Sequence, residues 1–291
     1  MKIIKAYKGG FKVTINSLKL VTIGYLFLLI PGLLIALAYW SSFKSAMGNF
    51  IAPGNLLNGF DYTAYTEMMR FEGEKISAAT SQALLLVVFY VFVGLFISGG
   101  IIFSLNNKNA KGNLLSMLTG GSRFFWRFLK LNFYTFIIHL LIAAIIYIPF
   151  AILVKSSFEH AATEKSTFFL FLPFGIFHLI VMIYLFTINN YAKFAIVHNN
   201  SRKVLRLLWS ATKFVTVKIF NTYTLALLLL IVPLLFLFAY MKFSGSFAMN
   251  STLTIIVVFI VQQIYVWLRM ANKVWFISGQ FEYYLMNNRE D

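Results

Sequence analysis

Cysteine is missing altogether, which excludes disulfides, thiol catalysis and cysteine-held zinc or iron–sulfur centres, and leaves the compartment open on redox grounds. Charge is scarce, at 12% of residues against roughly a quarter in soluble domains. Acid is scarcer still: nine Asp and Glu in 291 residues, none of them inside any long apolar run. Proton- and sodium-coupled transport usually relies on a carboxylate within the membrane, so this absence argues against that mechanism. The chain also lacks a Ser-His-acid order, an HExxH helix, a glycine-rich phosphate loop and a carboxylate pair, the usual carriers of hydrolase, metalloprotease and nucleotide chemistry. The nearest metal-like spacing, His160 to Glu164 in HAATEK, reads as solvated loop side chains. A cleavable signal is not expected either, because Lys recurs through Met1 to Lys19 where an apolar stretch belongs, so the first span stays in the chain.

What the chain has in abundance is apolar surface: 60% hydrophobic residues and a mean hydropathy of +0.79. Crossing a hydrocarbon layer of about 30 Å takes roughly 20 helical residues. Six windows qualify: Leu20 to Trp40, Gln82 to Ser104, Leu131 to Val154, Phe168 to Asn190, Thr222 to Tyr240 and Thr252 to Ala271. They are continuously apolar, without the alternation of a barrel strand, and a helix satisfies its own backbone in lipid. The expected fold class is therefore all-α: a polytopic membrane bundle of six transmembrane helices. It forms a single domain over 1–291 with repeat units near 1–104, 112–190 and 200–271 and a cytoplasmic tail, 272–291.

The repeats are carried by a basic, aromatic segment ahead of spans one, three and five. In GGSRFFWRFLKL, Gly120 to Leu131, the polar positions Arg123, Arg127 and Lys130 continue Ser116 and Thr119 at helical spacing. GGFKVTINSLKL, Gly9 to Leu20, repeats this 111 residues earlier with Lys5, Lys8, Lys12, Asn16 and Lys19. A looser copy, Arg202 to Phe220, carries Arg206, Ser210 and Lys213, with Arg202 and Lys218 at its ends. Each copy reads as an amphipathic helix on the membrane surface, and the paired glycines predict a joint there or at the span entrance. Pro31, Pro149 and Pro233 interrupt the spans that follow. In the first connection, FDYTAYTEMMRF reads as one helix capped by Asp61, and Gly94, Ser98 and Gly99 of span two suit close helix packing.

The net charge of +16 invites a nucleic-acid reading, but position decides against it. Nineteen of the 25 basic residues fall on alternate connections and on the two terminal segments, beside only three of the nine acids. They lie next to membrane spans, where anionic lipid accounts for them, and the positive-inside bias places both termini in the cytoplasm of a bacterial inner membrane.

Few polar residues remain within the spans. His139 lies about 12 Å into span three, while His178, Gln262 and Gln263 lie about 15 Å into theirs, which puts all four near mid-membrane. Interhelical hydrogen bonding among them is one reading; a buried site for a polar headgroup or small solute is another, and a bis-histidine haem or metal site a third. At the inner boundary Asn189, Asn190, Arg269 and Lys273 read as caps and snorkelling bases, or as a vestibule for anionic lipid.

The glycine pair and basic-aromatic helix (Gly120, Gly121, Arg123, Phe124, Trp126, Arg127), followed by an apolar span and repeated around six spans, resembles uncharacterised bacterial six-span membrane proteins. These are related to the membrane domain of some glycerophosphodiester phosphodiesterases. The resemblance implies a lipid-facing or accessory module, and since the catalytic barrel of those enzymes has no counterpart here, it carries over no hydrolase residue. The expected function is non-enzymatic, with neither cofactor nor metal: a subunit or scaffold binding anionic lipids or partner proteins through Lys5, Lys8, Lys12, Lys19, Arg123, Arg127, Lys130, Arg202, Arg206, Lys213 and Lys218. The alternative is a transporter or lipid-translocating protein using the mid-membrane layer.

Overall fold

A computed structural model describes residues 2–47, 61–107, 113–159, 164–247 and 251–288. Eight helices and no strand are found among them: α1 Lys2–Asn16, α2 Leu18–Met47, α3 Tyr62–Asn106, α4 Leu114–Glu159, α5 Glu164–His198, α6 Val204–Val217, α7 Ile219–Gly245 and α8 Thr252–Asn288. Six of them, all but α1 and α6, are long and apolar enough to cross a membrane. The chain is a multi-pass helical membrane protein. His160 of the HAATEK spacing lies outside the described residues.

The three repeat copies are built differently. In the first, Ser17 interrupts the helix between α1 and α2, and its carbonyl accepts from Leu20 and Val21 to start the span. In the third, Lys218 leaves helical geometry (φ −111°, ψ 31°) between α6 and α7. The second has no such break: α4 runs from its basic segment into the span as one helix. Gly120 and Gly121 make no joint in it because their missing side chains are where α3 comes closest. A Cβ on Gly120 would sit 3.0 Å from the carbonyl oxygen of Gly99, and one on Gly100 would sit 2.5 Å from that of Met117. The expected bend thus gives way to a tight helix crossing, joined at its end by a 2.9 Å contact between the Ser104 and Ser116 hydroxyls. Gly99 serves this packing, whereas a Cβ on Gly94 would meet nothing within 4 Å.

Asp61 caps α3 as expected, accepting from the Ala64 amide at 3.0 Å. The helix it starts is continuous with the span, bent where Glu72 departs from helical angles (φ −128°, ψ 16°).

The buried core is gathered at one end of the bundle, the end that also carries both terminal helix segments. It comprises Leu95 to Ile102 of α3, Phe124, Phe128 and Leu131 of α4, Tyr191 to Val197 of α5, and the inward face of α6. Of the segment expected as a tail, 272–291, the described residues 272–288 are part of this core: α8 continues to Asn288 and buries Phe276, Phe281 and Tyr283. It is held by α1, whose Gly10 meets Gly279 so closely that a Cβ would lie 2.5 Å from the Gly279 Cα. Ser278 Oγ donates to the Gly10 carbonyl at 3.1 Å and Trp275 Nε1 to that of Tyr7 at 2.9 Å. Toward the other end the spans expose Leu84, Leu85, Ile145, Ile148, Leu234 and Phe238, surface that suits acyl chains.

Candidate functional site

Basic residues at the packed end form two separate constellations, one on its surface and one in a cleft that runs from an exposed rim at Arg269 to the buried Lys193. The first lies where α4 meets the loop before α6. Arg123, Trp126, Arg127 and Lys130, one stretch of α4, share a pocket of about 290 Å³ with Arg202 and Val204. Asn200 holds the loop in place: its backbone takes the left-handed conformation (φ 46°) that Asn tolerates better than most residues. Arg127 then donates from Nη1 to Asn200 Oδ1 at 2.9 Å and to the Ser201 carbonyl at 3.5 Å. Arg123 and Arg127 both lie over the Phe124 ring, 5.7 and 5.0 Å from its centre, while Phe124 itself is buried. Four cations therefore share one pocket whose lining includes no carboxylate, and Arg127 is repelled by both Arg202 and Arg123. Beside them Trp126 is 68% exposed, an amphipathic ring of the kind that settles at a membrane–water interface.

The other surface cations divide by role. Lys5, Lys8, Lys12 and Lys19 are exposed on α1 and the start of α2, as are Arg206 and Lys213 on α6. Lys218 is half-buried and structural: its Nζ donates to Asn287 Oδ1 at 3.1 Å and lies over the Phe214 ring, tying the break between α6 and α7 to the end of α8.

The interior constellation occupies a cavity of about 490 Å³ lined from α3, α4, α5, α7 and α8. Its polar lining is Ser98, Asn132, Asn190, Lys193, Arg269, Asn272 and Lys273, with no carboxylate. Asn189 turns away from it, donating to Asn132 Oδ1 at 2.8 Å and Thr135 Oγ1 at 3.0 Å. Lys193 is only 8% exposed, its ammonium 5.9 Å from the Phe128 ring centre. Lys193 repels Lys273, and Lys273 repels Arg269. Asn190 Nδ2 and Asn272 Oδ1 are buried without a hydrogen-bond partner. Asn190, Arg269 and Lys273 were legible as polar residues at a span boundary. Lys193 and Asn272, three residues and one residue past their span ends, are the residues sequence reasoning missed, and their i+3 spacing from Asn190 and Arg269 was the signal available.

The four residues expected near mid-membrane do not come together. The rings of His139 and His178 lie tilted against each other with centres 5.1 Å apart, and Tyr147 packs at a tilt against His178 at 5.3 Å. His178 Nδ1 is buried without a partner, and among the described residues no group of three His, Asp or Glu could hold a metal. Gln263 instead accepts at Oε1 from Tyr25 at 2.8 Å, joining α8 to α2, and Gln262 is exposed.

No protein-family model, curated protein or solved structure matches the chain.

Proposed function

We propose that this protein is a non-enzymatic subunit or scaffold of a bacterial inner membrane, with both termini cytoplasmic, that gathers anionic phospholipid headgroups on its basic packed end. The observation that carries this reading is the α4–α6 pocket, where Arg123, Arg127, Lys130 and Arg202 converge without a carboxylate beside an exposed Trp126. Cations crowded in this way repel one another until counter-charge arrives, and the commonest fixed anions at that depth are lipid phosphates. At about 1 kcal/mol per basic residue near an anionic surface, such a pocket selects anionic over zwitterionic lipid. The exposed lysines of α1 and α6 extend the same surface, and protein partners with acidic faces would dock on it by the same electrostatics. The resemblance to membrane domains of glycerophosphodiester phosphodiesterases belongs to this proposal: an accessory, lipid-facing module.

The test is the lipid shell that co-purifies in mild detergent. Wild-type protein is expected to enrich phosphatidylglycerol over the bulk membrane, and Arg123→Glu, Arg127→Glu and Arg202→Glu together to reduce that shell to bulk composition. An unchanged shell would mean that the reading is wrong. A second reading, a transporter or lipid-translocating protein, is favoured by one observation: the polar interior cavity extends along α7 to Pro233.

A further inference from the structure

The surface pocket and the interior cavity share no lining residue, so the cavity raises a separate question. We infer that it is a binding site for one phosphate group, carried by a phosphomonoester, a phospholipid headgroup or inorganic phosphate.

Charge is the first argument. Lys193, Arg269 and Lys273 come from two helices onto one space, Arg269 at its exposed rim and Lys273 half-buried between the other two and repelling both, and its walls hold no carboxylate. A buried amine such as Lys193 either sheds its proton or keeps it beside a counter-charge. The face of the Phe128 ring supplies part of that counter-charge, and an anion in the cavity would supply the rest.

Geometry is the second. A guanidinium offers two parallel N–H donors that match two oxygens of a phosphate, and the two ammonium groups supply point charge from other directions. Asn190 Nδ2 is a buried donor with its bonding unfilled, and Asn272 Oδ1 an unfilled acceptor suited to an ammonium or to a protonated phosphate oxygen. A halide would leave this directional set unused, and a carboxylate or a phosphodiester would bring one charge to three cations, so the set favours the second charge and third free oxygen of a phosphomonoester, on a lipid or a soluble molecule, or of free phosphate.

Access is the third. Phe276 and Ile277, both buried, close the cavity toward the packed end. Toward mid-membrane its lining turns apolar at Val91, Phe186, Leu230 and Pro233, and Val91 and Phe186 are exposed on the flank of the bundle. A volume of about 490 Å³ falls within the roughly 300–1,000 Å³ of ligand pockets, more than one phosphate needs. An amphiphile entering from the bilayer would fill both the charged and the apolar part.

Two variants test the site in the full-length protein: Lys193→Met, which removes the enclosed charge, and Gly94→Leu, which adds bulk where a Cβ meets nothing within 4 Å and alters no charge. Native mass spectrometry after delipidation would follow rebinding of phosphatidic acid, and thermal denaturation in a neutral detergent would follow inorganic phosphate against chloride at equal ionic strength. Wild type is expected to bind one phosphate-bearing molecule per chain, with both variants weaker by about tenfold or more. Retention of phosphatidic acid without a response to phosphate identifies a lipid headgroup; a response to phosphate as well identifies a soluble phosphate site. If neither ligand binds, or chloride stabilises as well as phosphate, or Gly94→Leu binds like wild type, the assignment falls. Should Lys193→Met fail to fold, Gly94→Leu decides alone. The surface variants Arg123→Glu, Arg127→Glu and Arg202→Glu should rebind phosphatidic acid at this single site like wild type, which separates a failure here from a failure of the surface reading.

Discussion

Glycine has two opposite uses in this chain, and the structure tells them apart by what a side chain would strike. At Gly10 the partner is the backbone of Gly279, at 2.5 Å from an added Cβ, and backbone cannot move aside as a flexible side chain can. Gly10→Leu should therefore separate α1 from α8, costing about 1–3 kcal/mol, the usual range for overpacking, and lowering the midpoint of thermal denaturation. Gly94→Ala is the internal contrast: its Cβ enters open space, and removing a helix glycine should raise stability by about 0.5–1 kcal/mol in the same measurement. The sequence marked both positions, but paired glycines fit a bend as well as a close approach. Which one applies is settled by a partner 269 residues away, beyond the reach of any local pattern.

Helices that look alike in sequence behave differently once packed. The copies led by Gly9 and Gly120 share their polar spacing, yet only the first is broken from its span, at Ser17, while α3 holds the second straight through Phe96, Phe103 and Gly99. The six spans, their order and the Asp61 cap were legible because periodicity and hydropathy are local quantities. For Phe281, Tyr283, Tyr284 and Leu285 the sequence left two readings, against the membrane or against the other surface helices, since nothing in the composition of 272–291 distinguishes an aromatic face against lipid from one against protein; the structure buries Phe281 and Tyr283 against protein. The loop ahead of the short helix α6 is held by one contact in particular, the grip of Arg127 on Asn200 and the Ser201 carbonyl. Arg127→Ala should release that loop at a cost of about 1 kcal/mol, since the bonds are partly solvated. Hydrogen exchange should quicken across 199–204 and stay unchanged in α7; uniform exchange across both would contradict it.

For the whole molecule the asymmetry of charge sets the expected orientation, and the lack of cysteine makes it directly measurable. Single replacements Lys213→Cys and Ser246→Cys lie at opposite ends of the α6–α7 pair. A membrane-impermeant maleimide applied to intact cells should label the Ser246→Cys protein at once and the Lys213→Cys protein only after permeabilisation. The reverse pattern would put the basic surface outside and remove the basis for cytoplasmic headgroup binding. The proposed lipid preference also has an ionic-strength signature, because exposed charges are screened over about 10 Å at 0.1 M salt, whereas the buried Lys193 of the second cavity is screened far less. Of that cavity the sequence showed the boundary residues on α5 and α8, and missed that five helices would converge on them.

The contact between Gly10 and Gly279 joins the first helix of this sequence to its last, with Ser278 and Trp275 sealing it from the α8 side. On a ribosome these residues emerge far apart in time, so α1 is made long before the surface it fits exists. Until α8 is made the glycine face of α1 has no partner, so closure of the packed end waits on the synthesis of that helix.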